Sequence, residues 1–144
     1  MVRDFLDANI LFSAAYRPDS GLLRLWEVAD VELVVSPLVL QEAEVNLDTQ
    51  EQHERLLNLA RRCTLASPPD ESNAGQREDH GLPAKDRPVL WAAIDVQCQY
   101  RVTGDKRHFG HLMGRTIEGV KVVLASDLLD ELAAGPGRDP RASP

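Results

Sequence analysis

No apolar run in this 144-residue sequence approaches the ~20 residues that a membrane-spanning helix requires, so none of its segments reads as a membrane span. The N-terminal segment does not read as a secretory leader either. The N-terminus, MVRDFLDANILF, carries Asp4 and Asp7 early and has no small-residue cleavage site. Cysteine is scarce: Cys63 and Cys98 have no CxxC spacing, and no His/Cys cluster has zinc spacing. Two buried, reduced thiols and a cytoplasmic location are therefore expected. Positive charge is in short supply as well, with 16 Lys and Arg against 23 Asp and Glu and a net charge of −7. That argues against a chain that grips nucleic acid through overall basicity. It does not exclude nucleic-acid chemistry, because acids gathered in one site are neutralised locally by divalent cations.

What the chain does have is the 43% hydrophobic and 27% charged composition of a folded soluble protein, at a length suited to one domain. Apolar stretches and turn signals alternate in a β-α rhythm. Strands are expected at Val2–Leu6, Val31–Val35, Tyr100–Thr103 and Val120–Leu124, with a weak one at Cys63–Ala66. A helix starts near Ile10 and runs to Tyr16, and Asp19-Ser20-Gly21 opens a second through Leu22, Leu25, Trp26 and Ala29 at helical spacing. Ser36-Pro37 caps a third, which runs to about Leu47. Thr49–Arg62 forms a fourth, with Leu56, Leu57, Leu59 and Ala60 inward. Ser67–Lys85 is a long polar loop; beyond it Asp86-Arg87-Pro88 opens a clear helix. His108–Met113 is a short helix or turn, and Ser126 caps a last helix to Leu132. Residues 1–134 thus form one domain, and residues 135–144, rich in Gly, Pro, Arg and Ser, form a disordered tail. Strands separated by helices imply an α/β fold: a single three-layer domain with a parallel central sheet of about five strands flanked by helices.

In such sheets ligands bind at the carboxyl ends of the strands. Asp7 follows the first strand and Asp105 the fourth, so both fall on that edge. Asp86 begins a helix there, and Glu42 lies about a turn and a half into the helix after the second strand. Hard cations such as Mg²⁺ and Mn²⁺ prefer oxygen ligands of this kind. Each acid also has a structural alternative. Asp7 and Asp86 could be helix N-caps, and Asp105 a turn residue after Gly104. Glu42 shares a helix strip with Leu38 and Val45, just as Glu44 does with Leu40 and Leu47, so periodicity alone leaves both glutamates open. Trp26 and Trp91 sit among apolar neighbours and read as core, and His53 reads as surface.

The segments Asp7-Ala-Asn-Ile-Leu-Phe-Ser-Ala, Ser36-Pro-Leu-Val-Leu-Gln-Glu42, Asp86-Arg-Pro-Val-Leu-Trp-Ala-Ala93 and Val102-Thr-Gly-Asp105-Lys occur in the order and at about the spacing of the PIN domain. The chain resembles that family, the nuclease fold of VapC-like toxins, over nearly its whole ordered length. The resemblance implies a metal-dependent ribonuclease that cuts RNA phosphodiesters to leave a 5′-phosphate and a 3′-hydroxyl. It implies Asp7, Glu42, Asp86 and Asp105 as the catalytic acids that ligate Mg²⁺ or Mn²⁺, which selects Glu42 over Glu44, and Asn9 and Thr103 as supporting hydrogen-bonders. A toxin role fits, with a protein antitoxin and a homodimer as partners. The chain departs from the family pattern at Ala8, where Thr or Ser is common, and in the polar Arg3-Asp4 of its first strand.

Lys85 and Arg87 flank Asp86, and Lys106 and Arg107 follow Asp105, which makes these four the expected substrate-binding cations. A haloacid-dehalogenase-type phosphatase needs a second Asp two residues after the first, where this chain has Asn9, and a receiver domain needs paired acids and a mid-chain Asp that strand two lacks. The non-enzymatic rival is an inactive PIN-like scaffold that binds RNA or protein. Against it stands the cost of keeping four mutually repelling carboxylates together without metal.

Overall fold

The computed structural model describes residues 1–68, 72, 74–104 and 110–133. Among them, six strands form one sheet: β1 (Val2–Leu6), β2 (Val31–Val35), β3 (Thr64–Leu65), β4 (Tyr100–Thr103), β5 (Thr116–Ile117) and β6 (Val120–Leu124), in the order β3-β2-β1-β4-β6-β5. Every pairing is parallel except β5 with β6. Helices α1 (Ala8–Tyr16), α2 (Pro37–Val45), α3 (Gln50–Arg61), α4 (Arg87–Asp95) and α5 (Ala125–Ala133) flank the sheet. The chain runs outward from β1 to β2 and β3, then returns to β4 on the other side of β1, so strand order reverses between β1 and β4.

Local chemistry sets the elements. Ser36 Oγ accepts the Val39 N–H at 3.4 Å and Pro37 opens α2. Thr49 and Gln52 form a reciprocal capping box at the start of α3, with Gln52 N to Thr49 Oγ1 at 3.1 Å and Thr49 N to Gln52 Oε1 at 3.0 Å. The main core joins Phe5 and Leu6 of β1, Ile10 and Leu11 of α1, Val34 and Val35 of β2, and Val102 of β4. A smaller cluster of Leu82, Leu90, Leu112 and Val122 pins the described end of the long loop. That stretch is also fastened through Trp91, whose Nε1 donates to Glu78 O at 3.1 Å while Arg77 lies 5.0 Å above its ring.

Four expectations need correction. The segment after Ser20 is a 3-10 helix, Gly21–Glu27, in which only Leu25 and Trp26 are buried. Leu57 is 52% exposed, since α3 turns Leu56 and Leu59 to the core and a residue one position on points about 100° away. Helix α5 begins at Ala125, which places Ser126 inside it. The sheet gains an antiparallel edge strand, β5, through a two-residue turn at Glu118 and Gly119, both with positive φ (48° and 90°); such turns match the twist of a hairpin. Cys63 and Cys98 are free thiols, and burial pushes them up to about 11 and about 12. No helix among the described residues is long and apolar enough to cross a membrane. The expected tail lies outside the described residues.

Candidate metal centre

At the end of β1 the backbone N–H of Asp7 donates to Val102 O at 3.0 Å, which ties the strand end to β4. Asp7 is the N-cap of α1, and its carbonyl accepts from Ile10 and Leu11, but its carboxylate makes no capping bond. The carboxylate turns instead to Arg101. Arg101 Nε and Nη2 both donate to Asp7 Oδ1, at 3.0 and 2.7 Å, in a pair where Arg101 is 2% and Asp7 4% exposed. Next to it, Asn9 Nδ2 donates to Thr103 Oγ1 at 3.5 Å, and Asn9 Oδ1 accepts the Gly104 N–H at 3.0 Å. This clasp holds the carboxyl end of β4 against the start of α1.

The same edge opens into a cleft of about 470 Å³. Its floor comes from Asp7, Ala8, Asn9 and Phe12 at the start of α1. Val39 and Glu42 of α2 line one wall with Asn46, its C-cap, at i, i+3, i+7 spacing, and Lys85, Asp86 and Val89 bring in the start of α4. Three carboxylates from three separate elements therefore face one space. Glu42 registers this: its pKa is raised, first by burial and then by the charges of Asp7 and Asp86, against the opposing pull of Lys85 and Arg101. The model of the PIN domain matches residues 3–107, more than half of the chain. The chain belongs to the PIN domain family. Among solved structures, the PIN domain is similar to a chain of VapBC2 from Rickettsia felis bound to a DNA fragment from their promoter. The similarity has a TM-score of 0.60 and 18% identity over 85% of this chain and 98% of that one, and shows the shared fold. No curated protein shows significant sequence similarity to the chain.

The structure of this PIN domain separates several residues that the sequence left level. Glu42 enters the cleft, whereas Glu44 lines a different groove between α2 and α3. Asp86 occupies the N-cap position of α4 without a side-chain capping bond. Lys85 lines the cleft, but Arg87 turns away, with Nε donating to Leu82 O at 2.9 Å and Nη2 3.6 Å from Asp79. His80 pairs with Glu118 at 3.1 Å and does not line the cleft. Both tryptophans are buried, and His53 bonds Leu47 O. Asp105, Lys106 and Arg107 lie outside the described residues.

Sequence reasoning missed two residues of the cleft, Arg101 and Asn46. Arg101 left a signal, a lone charge inside the short strand β4; Asn46, one turn beyond Glu42, left none beyond its spacing. The donor set available to a metal is all oxygen, which suits hard cations. Among the described residues no three His, Cys, Asp or Glu side chains lie close enough together to hold an ion. The described carboxylates fit an ion that keeps several waters, as Mg²⁺ does, more closely than one caged by protein.

Proposed function

We propose that this PIN domain is a metal-dependent endoribonuclease, and that Asp7, Glu42 and Asp86, together with Asp105 of the matching family motif, hold Mg²⁺ or Mn²⁺. The observation that carries the reading is the convergence of three acids from separate elements on one cleft at the switch point of the sheet. When bound, a divalent ion polarises the phosphoryl oxygens, lowers the pKa of the attacking water and stabilises the leaving oxygen. The chain's own residues do the positioning. Lys85 offers a cation to a backbone phosphate, with Lys106, Arg107 and Arg87 as further candidates. The clasp between Asn9 and Thr103 supports the end of β4 from which Asp105 follows. Phe12, Val39 and Val89 give the cleft apolar walls that limit water. Hydrolysis adds water across the P–O3′ bond and leaves a 5′-phosphate and a 3′-hydroxyl.

A role as the cytoplasmic toxin of a toxin–antitoxin pair is part of the proposal. Its support is the family together with the similar VapBC2 assembly. An antitoxin, or a second copy in a homodimer, needs apolar surface, and the groove between α2 and α3 offers Leu40, Leu56, Leu57 and Ala60 with Glu44 and Glu54 at its rim. The test is cleavage of assorted RNAs with Mn²⁺ by wild type and by Asp7→Asn. Cleavage by wild type alone supports the reading; equal inactivity of both removes it. The Asp7–Arg101 pair is the one observation that favours the rival scaffold, because it neutralises an expected ligand, and the same assay separates the two.

A further inference from the structure

The cleft takes its floor from the start of α1, and the helix carries the same face outward. Asn9, Phe12, Ser13 and Tyr16 stand at i, i+3, i+4 and i+7, one stripe of an α-helix that runs roughly 10 Å along its axis. Asn9 and Phe12 line the cleft. Phe12, Ser13 and Tyr16 line a second pocket of about 350 Å³, together with Arg17, Asp19 and Ser20. Phe12 is common to both, so the two pockets adjoin. Its ring lies 5.3 Å from that of Tyr16, tilted by 38°. Tyr16 is 41% exposed, unlike the two buried tryptophans. Its backbone is held from α3: Gln52 Nε2 and Arg55 Nη2 donate to Tyr16 O at 3.4 and 3.1 Å, and Arg55 Nε donates to Ala15 O at 2.8 Å. Arg17 follows as the extended C-cap of α1. Arg17 and Asp19 are exposed, and among the described residues neither side chain makes a hydrogen bond or an ion pair, even with the other.

Resting on the ribonuclease reading, we propose that this second pocket is a subsite for an unpaired nucleotide of RNA that runs out of the cleft, its base stacked on the Phe12–Tyr16 pair and a backbone phosphate on Arg17. The chemistry of the lining selects this occupant. A half-exposed aromatic ring presents a face on which any base can stack. A guanidinium with no acid to satisfy suits a phosphate, which it grips with two N–H donors. Asp19 adds an acceptor for base N–H groups, which a bare anion lacks. Continuity agrees with the chemistry. At ~3.4 Å per stacked nucleotide, a strand seated at the cleft covers the length of the stripe in about three nucleotides. A duplex keeps its bases stacked inside and has no face to offer, so the subsite favours single-stranded RNA. The aromatic pair also supports α1, as i, i+4 pairs do. That role requires neither the exposure of Tyr16 nor the charge of Arg17. Both are binding residues and take no part in the hydrolysis.

The experiment measures binding of short fluorescein-labelled RNAs, single-stranded and duplex, to the full chain by fluorescence anisotropy, for wild type, Tyr16→Phe, Tyr16→Leu and Arg17→Gln. EDTA keeps the RNA whole. Cleavage with Mn²⁺ and size-exclusion chromatography run alongside. Tyr16→Phe is expected to bind single-stranded RNA as wild type does. Tyr16→Leu keeps an apolar contact with Phe12 but loses the stacking face, and is expected to bind at least about fivefold more weakly. Duplex RNA is expected to bind both equally. Arg17→Gln is expected to lower the slope of log affinity against log salt by about 0.7, the value of one phosphate contact on a single strand. A folded Tyr16→Leu that binds single-stranded RNA as tightly as wild type overturns the inference. So does an unchanged salt slope in Arg17→Gln, whether or not the Leu variant folds. A Tyr16→Leu chain that binds RNA normally but changes its oligomeric state makes this face a protein contact and overturns it equally. The expected binding losses without any Mn²⁺-dependent cleavage by wild type remove the ribonuclease reading and leave the RNA subsite standing. Cleavage by wild type while all variants bind alike does the reverse.

Discussion

Asp4 allows the physics of this sheet to be tested with one substitution. It sits in β1, between β2 and β4, in register with Leu33 on one side and Tyr100 on the other. It is 2% exposed, and its Oδ1 is buried with no hydrogen-bond partner among the described residues. Burial raises its pKa from 3.8 to about 6. Tyr100 is raised too, by its own burial first and then by Glu131 and Asp4. Between pH 3.8 and about 6 the folded chain keeps a proton that the unfolded chain has released. The unfolded state binds fewer protons there, so stability falls as pH rises through this window. The cost is absent below the lower value and complete above the upper one. At about 1.4 kcal/mol per tenfold change in proton affinity, it amounts to roughly 3 kcal/mol above pH 6.

Asp4→Asn keeps the shape and removes the charge. The variant is expected to be more stable than wild type at pH 8 by up to about 3 kcal/mol, or roughly 9 °C in melting temperature for a domain of this size. The advantage should shrink steadily on acidification and vanish near pH 4. Thermal melts followed by circular dichroism at half-unit pH steps measure it. A difference between the two proteins that stays constant from pH 4 to pH 8 would refute the reasoning, because it would mean that Asp4 ionises in place at no cost.

Two further outcomes follow from the geometry. Thr49→Ala breaks the capping box of α3 and should cost about 1 kcal/mol, read as a lower midpoint in urea with an unchanged slope. Lys85→Ala should weaken RNA binding across sequences and lower the slope of log affinity against log salt by about one, with no loss of Mn²⁺ binding; an unchanged slope would take Lys85 out of the RNA interface.

Much of the fold could be read from residues in sequence, and the parts that could not have physical reasons. β1, β2, β4 and β6 have the bounds that their sequence patterns suggest, because each turns a buried stretch of the chain into the middle of the sheet. The starts of α2 and α3 were legible because Ser36 and Thr49 act on their own first turns. β5 was missed because it is two residues long and depends on its pairing with β6. The stretch from Gly21 was misread because helical spacing does not distinguish an α-helix from a 3-10 helix over seven residues. Leu57 shows the limit of composition, for an apolar residue on an amphipathic helix need not face inward. At the cleft, the spacing that left Glu42 and Glu44 level gave way to geometry that turns them to different grooves. Arg101 was legible only as a lone charge within a short strand. Its partner Asp7 lies 94 residues away, and a charge within a strand acquires a role only once the sheet sets the two side by side.

The account stands most directly on a crystal grown with Mn²⁺ and measured for anomalous scattering. It predicts Mn²⁺ in the cleft, in contact with carboxylate oxygens of Asp7, Glu42 and Asp86. An empty cleft at saturating Mn²⁺, or an ion held elsewhere on the chain, would contradict it.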